Sequence, residues 1–278
     1  MCRVLGVSRS GYYAWARRAP SARTVADTAL IEEIRRVHAD SEGAYGKRRV
    51  TRQLRREGHQ VNHKRVERLM RAEAIVGAYV PARRRRDVDG VLGVAGVRAW
   101  PDLVARDFSP AAPNQAWCAD MKQIQTAEGV LHLASVLDLY SRAIVGWAMA
   151  AVADSELVAT ALEMGVARRR PGDGLIHHSD RGTQYTALAF TQRCADAAVI
   201  QSNSRPGTPH DNAVKESFFA TLQKEHLRGR RFATHEQARS SIFTYIECFY
   251  NRSRIHSTLG YRTPAEAEDA HYQQAACA

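Results

Sequence analysis

QAWCADMKQIQ, residues 115–125, reads as a β-strand: apolar from Ala116 to Ala119, then alternating, with one carboxylate, Asp120, in its middle. Two further apolar or alternating runs follow, Val130 to Leu139 and Ala143 to Ala150, and three short strands in succession predict an antiparallel meander. Beyond them the pattern predicts a helix from Ser155 to Ala167, a strand from Gly174 to His178, a helix from about Thr186 to Ala197 and a short strand from Val199 to Gln201. Strands first, then strand and helix in alternation, describe a mixed α/β sheet with helices packed on it. No internal repeat is present.

Asp120 is one of three acids that sit on rigid elements. Asp180 stands at the carboxyl end of the Gly174–His178 strand, within His177-His-Ser-Asp-Arg-Gly-Thr-Gln-Tyr185, where sheets of this class place their ligands. Glu216 is expected on a helix with Thr208 as its cap, Pro209 at the first helical position and Asp211 three residues after the cap. Helical spacing puts Asn212 on the face of Glu216, one turn earlier, and makes Val214, Phe218 and Leu222 a neighbouring apolar stripe. Each acid taken alone is equally a solvated surface carboxylate. Together they form the oxygen-rich set that hard divalent cations prefer, and phosphodiester chemistry needs two such ions about 4 Å apart.

Working toward the amino terminus, Pro81-Ala-Arg-Arg-Arg-Arg86 and the Gly-rich stretch to Gly96 read as a basic linker. Before it, Leu30, Ile31, Ile34 and Val37 recur at helical spacing behind Asp27 and Thr28, which are plausible caps. A second helix spans Gly46 to Glu57, with Val50 and Leu54 inward, Lys47, Arg48, Arg49, Arg52, Arg55 and Arg56 outward, and Gly58 placed to end it. A third begins near Asn62, burying Val66, Leu69 and Met70 and leaving His63, Lys64, Arg65, Arg68 and Arg71 outside. Three short helices of this kind suit helix-turn-helix binding to DNA, or an ordinary helical adapter with basic surfaces. The opening, Leu5 to Tyr13 with Ala14 and Trp15, resembles the turn and second helix of another such unit.

Charge sharpens the choice. Residues 1–110 hold 23 Lys and Arg against 12 Asp and Glu, while residues 111–278 hold 17 of each, so the whole net charge of +11 lies in the front. Clustered cations gain affinity for DNA by releasing its condensed counterions. No apolar run approaches the roughly 18 residues of a membrane span, and residues 1–11 lack the apolar stretch of a secretory signal. Cys2, Cys118, Cys194, Cys248 and Cys277 stand singly, so neither a disulfide framework nor a zinc ribbon is expected. A cytoplasmic, nucleoid-associated protein is the expectation.

The interval between Asp180 and Glu216 is 35 residues, 181 through 215. Around it stand Leu137-Asp-Leu-Tyr-Ser-Arg-Ala-Ile-Val-Gly-Trp147, Ser179-Asp-Arg-Gly-Thr-Gln-Tyr185, Asp211-Asn-Ala-Val-Lys-Glu-Ser-Phe-Phe219 and Tyr250-Asn-Arg-Ser-Arg-Ile-His-Ser-Thr-Leu-Gly260. With these phrases the chain resembles, over nearly its whole length, the catalytic downstream-frame protein of bacterial insertion sequences, a transposase of the retroviral-integrase type with its Asp-Asp-Glu signature. The resemblance implies a ribonuclease H-like core, a mixed five-stranded sheet with flanking helices, preceded by a small all-α helix-turn-helix region. It implies a partial helix-turn-helix fragment over 1–20, a DNA-binding domain over 25–80, a basic linker over 81–110 and the integrase core over 111–270. Asp120, Asp180 and Glu216 would hold two Mg2+ ions, or Mn2+, for 3′-end cleavage and strand transfer without a covalent protein intermediate. Partners implied are DNA, as terminal inverted repeats and target, further copies of the chain on that DNA, and an upstream-frame protein or its frameshift fusion; no membrane is involved. Two rival functions stand beside this one: a non-catalytic DNA-binding regulator, and a related nuclease that cuts without joining.

DNA contacts are expected from Lys47, Arg48, Arg49, Arg52, Lys64, Arg65 and Arg68 in front, and from Arg181, Asn212 and Lys215 beside the acids. Arg181, Lys215 and Lys224 are open between phosphate binding and plain surface charge, and Arg252, Arg254 and His256 between DNA contact and packing. Asp138, at a strand end before Leu-Tyr-Ser-Arg142, favours capping of local amides over metal binding. His178 favours a hydrogen-bonded strand-end role, because magnesium takes oxygen ligands.

Overall fold

A computed structural model of the chain describes residues 2–78, 100–205 and 213–277, with backbone alone over 213–216. The chain divides into two compact units, Met1–Tyr79 and Val80–Ala278. Helices α1 (Arg9–Ala16), α2 (Ala22–Asp40), α3 (Lys47–Arg56) and α4 (His63–Ala72) make the first. Leu30, Ile34 and Val37 of α2, Val50 and Leu54 of α3, and Val66, Leu69 and Met70 of α4 are buried together. Each such side chain contributes roughly 1.5–3 kcal/mol by leaving water. Asn62 accepts from Lys64 N to start α4, and Gly58, at φ +92°, turns the chain after α3. Helix α1, capped by Ser8, buries none of its residues.

One cap was misplaced by the sequence pattern. Helix α2 begins two turns earlier than expected, with Ser21 Oγ accepting from Thr24 N. Asp27 lies inside the helix and takes Arg65 Nε at 2.7 Å and Arg68 Nη2 at 2.5 Å from α4. An Asp inside a helix is locally neutral to unfavourable, and a tertiary partner outweighs that.

The second unit is built on strands β1 (Ala116–Thr126), β2 (Gly129–Asp138), β3 (Ile144–Ala150), β4 (Ile176–Ser179) and β5 (Ile200–Asn203), in the order β3-β2-β1-β4-β5. The first three form the antiparallel meander; β4 pairs parallel to β1 and β5 parallel to β4. Side chains alternate between faces. On one face Trp117, Ala119, Val136 and Val145 meet α5 (Ser155–Arg169) and α7 (Leu188–Asp196) through Leu157, Leu162 and Phe190. On the other, Cys118, Ile124, Leu131, Leu133 and Leu137 meet α8 (Ala213–Leu222) and α9 (His235–Phe243) through Phe218, Phe219, Leu222 and Ile242. Helix α5 packs closely enough on β3 that a Cβ at Gly146 would lie 2.1 Å from Ala161 O.

Several boundaries differ from expectation. The helix expected from about Thr186 to Ala197 is α7, and a short helix before it, α6 (Thr183–Thr186), was not expected; Ala187, in extended conformation, separates the two. Helix α8 continues into a π-helical segment, Gln223–Leu227, and α9 into a second, Thr244–Tyr250. A last helix, α10 (Pro264–Ala276), went unread, although Thr263 and Glu266 form a complete capping box at its start. The expected linker is also shorter at its carboxyl end: Trp100 N donates to Asn203 Oδ1, Leu103 N to Ser202 Oγ, and Val104 is buried in the core of the second unit. Residues 81–99 of that linker, and the expected cap at Thr208, Pro209 and Asp211, lie outside the described residues. At the border of the sheet, Asn251 Oδ1 accepts from Ile144 N and Asn251 Nδ2 donates to Ile144 O.

Candidate active site

Asp120 and Asp180 are set by the parallel pairing of β1 and β4. Cys118 pairs with His178, and Asp120 and Asp180 each follow that pair by two residues, Asp120 within β1 and Asp180 just past the end of β4. Asp120 shares a face with Cys118 and Ile124, which is the face that α8 covers. Both carboxylates are half-buried. Asp120 Oδ1 accepts from Met121 N at 2.7 Å, and Asp180 Oδ1 from Gly182 N at 2.9 Å.

Electrostatics place the two acids in one neighbourhood. Burial raises the pKa of the Tyr185 phenol well above its ordinary value, and the charges of Asp120 and Asp180 both push it further. Lys122, on the face of Asp120, is pulled down by burial and pushed back up by that carboxylate. Glu216 lies in α8, which packs against β1, and its side chain is outside the described atoms. The structure therefore brings Asp120 and Asp180 together and puts the helix of Glu216 over the strand of Asp120.

The end of β4 is held by short polar side chains that sequence reading missed. Asn203 Nδ2 donates to Asp180 O at 3.0 Å and to Ser179 Oγ at 3.2 Å, while Ser204 N donates to Ser179 O. His178 is fully buried, with Nδ1 2.9 Å from Ser202 Oγ and Nε2 3.3 Å from Ser204 Oγ, so it fills the structural role favoured from its position. Asp138 does likewise. It accepts from the amides of Asn114, Tyr140 and Ser141, from Ser141 Oγ and from Trp117 Nε1. Burial pushes its carboxyl up, and the Ser141 and Asn114 amides pull it back.

The donor set fits a hard divalent cation. The carboxylates of Asp120, in β1, and Asp180, just past β4, offer oxygen only. Ser135 Oγ, on the residue directly across from Asp120, is buried and has no hydrogen-bond partner among the described residues, and a hydroxyl there suits the water shell that magnesium keeps.

The expected DNA contacts are distributed over both units. Lys47, Arg48, Arg52, Lys64 and Arg68 are exposed and Arg49 and Arg65 half-buried on α3 and α4. Some of them already hold acids: Lys47 meets Glu67 at 2.5 Å, and Arg65 and Arg68 share Asp27. Arg181 is exposed, its Nε donating to Ser204 O. Asn212 and the side chain of Lys215 lie outside the described atoms. Of the residues left open, Lys224 and Arg252 are exposed, whereas Arg254 and His256 are buried and pack.

Comparison with known proteins agrees with this geometry. An integrase core domain family matches residues 110–209, a second integrase core domain family matches 197–264, and an HTH-like domain matches 25–86. The insertion element IS600 31 kDa protein of Shigella sonnei is 41% identical over 278 residues, covering 99% of this chain and 100% of its own length. The transposase for insertion sequence element IS904 of Lactococcus lactis is 37% identical, over 90% of this chain and 98% of its own. Transposase InsF for insertion sequence IS3A of Escherichia coli is 36% identical, over 97% and 93%.

Proposed function

This chain belongs to the transposases of insertion sequences, and from that premise we propose that it is a DNA polynucleotidyl transferase that cleaves the 3′ ends of its element and joins them to target DNA. The observation that carries the proposal is the parallel pairing of β1 and β4, whose last pair, Cys118 with His178, lies two residues before both Asp120 and Asp180, with the helix of Glu216 laid over β1. Asp120, Asp180 and Glu216 hold two magnesium ions, which manganese can replace. When bound, such ions activate the attacking oxygen and stabilise the leaving one. The Gly182 amide holds the Asp180 carboxylate, and Asn203 holds the backbone carbonyl of the same residue.

In front, α3 and α4 present Arg48, Arg52, Lys64 and Arg68 to the terminal inverted repeats. Phosphate contacts of this kind fix register without reading sequence. The chain works as a multimer on DNA, with an upstream-frame protein or its fusion as a further partner. Its place is the cytoplasm, at the nucleoid; among the described residues no helix is long and apolar enough to cross a membrane.

Full-length chain incubated with labelled repeat ends and Mg2+ should yield nicked and joined products. Asp120→Asn, Asp180→Asn and Glu216→Gln should each lose at least about a thousandfold in rate, on the order of 4 kcal/mol of barrier, with end binding unchanged. A wild-type chain that binds ends but never nicks them is a regulator. One that nicks but never joins a pre-nicked end is a nuclease.

A further inference from the structure

Buried polar contacts behind the site point to a residue that controls it from a distance. Glu225 and Arg254 form a two-point ion pair, Arg254 Nε to Glu225 Oε2 at 2.6 Å and Nη2 to Oε1 at 2.8 Å, with side chains 7% and 5% exposed. Tyr245 Oη donates to Glu225 Oε2 at 3.2 Å, and the guanidinium stands 5.5 Å from the centre of the Tyr250 ring. Removing one partner of such a pair leaves a buried charge uncompensated.

Glu225 belongs to the same continuous coil as Glu216. Leu222 keeps helical backbone angles where α8 passes into the π segment, so nine residues, roughly 13 Å of helix, join the two glutamates. In that segment Glu225, His226 and Leu227 all turn inward in succession. An ordinary helix cannot easily bury three neighbours on one side, since it rotates about 100° per residue; a π segment widens the turn. The second π segment faces it: the Tyr245 ring lies 4.7 Å from that of His226, and Ser241 Oγ sits 2.8 Å from His226 Nε2. Phe218, Phe219 and Leu222 seat α8 on the sheet through apolar contacts, which tolerate sliding and rotation. The bidentate pair tolerates neither.

We propose that Arg254 is a positioning residue for Glu216: by gripping Glu225 at two points it fixes the rotation and axial register of α8, and with them where the Glu216 carboxylate meets the acids of β1 and β4. The proposal rests on Glu216 being a metal ligand.

The test uses full-length chain on a labelled repeat end, with Mn2+ affinity read directly by electron paramagnetic resonance beside nicking rate, end binding and melting temperature. Arg254→Lys keeps the charge and loses the fork. It should weaken Mn2+ binding and slow nicking by about 10- to 100-fold, as loss of an outer support of a metal ligand does, while end binding holds. Glu216→Gln separates the two claims. If Glu216→Gln binds Mn2+ and nicks normally, the ligand assignment fails and the proposal with it. If Glu216→Gln loses both while Arg254→Lys matches wild type, or melts earlier with Mn2+ affinity intact, Arg254 only packs and the proposal alone is overturned. Should Arg254→Lys not fold, Tyr245→Phe decides: removing a single donor to Glu225 should weaken Mn2+ binding severalfold, and an unchanged affinity overturns the proposal.

Discussion

The two units handle charge in opposite ways. In the first, α2 is tied to its neighbours by pairs at the surface: Arg35 to Glu73, Arg36 to Glu57, and Asp27 to Arg65 and Arg68, with Lys47 and Glu67 linking α3 and α4. Such pairs are open to water and salt, and each contributes little. In the second unit the key carboxylates are buried, Asp138 under five donors and Glu225 against Arg254. The difference teaches where each unit can exchange partners. Arginines that hold an acid in high dielectric can release it to a phosphate at little cost, which suits a surface that docks on a polyanion. A buried carboxylate has no such freedom, which suits a rigid scaffold.

Asp138→Asn tests the rigid side and should have the largest effect of the tests on this contrast. An amide oxygen cannot replace a carboxylate that accepts from five donors, and the amide N–H groups would face donors in turn. Loss of about 3 kcal/mol from the second unit is expected, seen in thermal melting as an early transition of that unit alone; an equal shift in the first unit would break the contrast. Changing Arg48 and Arg52 together to Ala tests the exchangeable side. End binding should weaken about tenfold, and the dependence of log affinity on log salt should flatten by about 0.9 for each phosphate no longer neutralised, with nicking of saturated ends unchanged. An unaltered salt slope would remove α3 from the DNA face.

Acid gives the smallest effect. Hydrogen bonds from Arg68 and Arg65 hold Asp27 below its ordinary 3.8. Burial raises Glu57, but Gln53 and Arg36 bring it net below its ordinary 4.5. Lys47 leads the lowering of Glu67. Groups depressed by folding stabilise fully above their unfolded pKa and lose that contribution as pH falls through the folded one. The first unit should therefore loosen gradually below about pH 4.5, and less steeply in high salt, as followed by amide hydrogen exchange. Loosening that starts near neutrality would refute these pairs as its cause.

How much was legible in the chain follows the range of each interaction. The meander was readable because alternation in Trp117 to Gln125 is a local property. Helix α2 was misjudged at its start because Asp27 looks like a cap until α4 supplies Arg65 and Arg68, some 40 residues away. Asn203, Ser135 and the Glu225–Arg254 pair are ordinary in sequence and acquire meaning only across strands or between π segments. Helix α10 is a different case: Thr263-Pro264-Ala265-Glu266 carries a complete start signal, and the weak apolar stripe behind it hid the helix.

The border of β3 has a consequence for how chains behave before they finish folding. Asn251 pairs with both backbone groups of Ile144, Met164 Sδ takes Trp147 N, and Arg239 Nη1 donates to Met149 O. Side chains thus occupy backbone groups to which a foreign strand would add. The margin is thereby less open to strand addition from another copy. Asn251 comes 107 residues after Ile144, so a nascent or truncated polypeptide that stops short of it leaves the margin bare and sticky, a toll that falls on incomplete gene copies rather than on the finished protein.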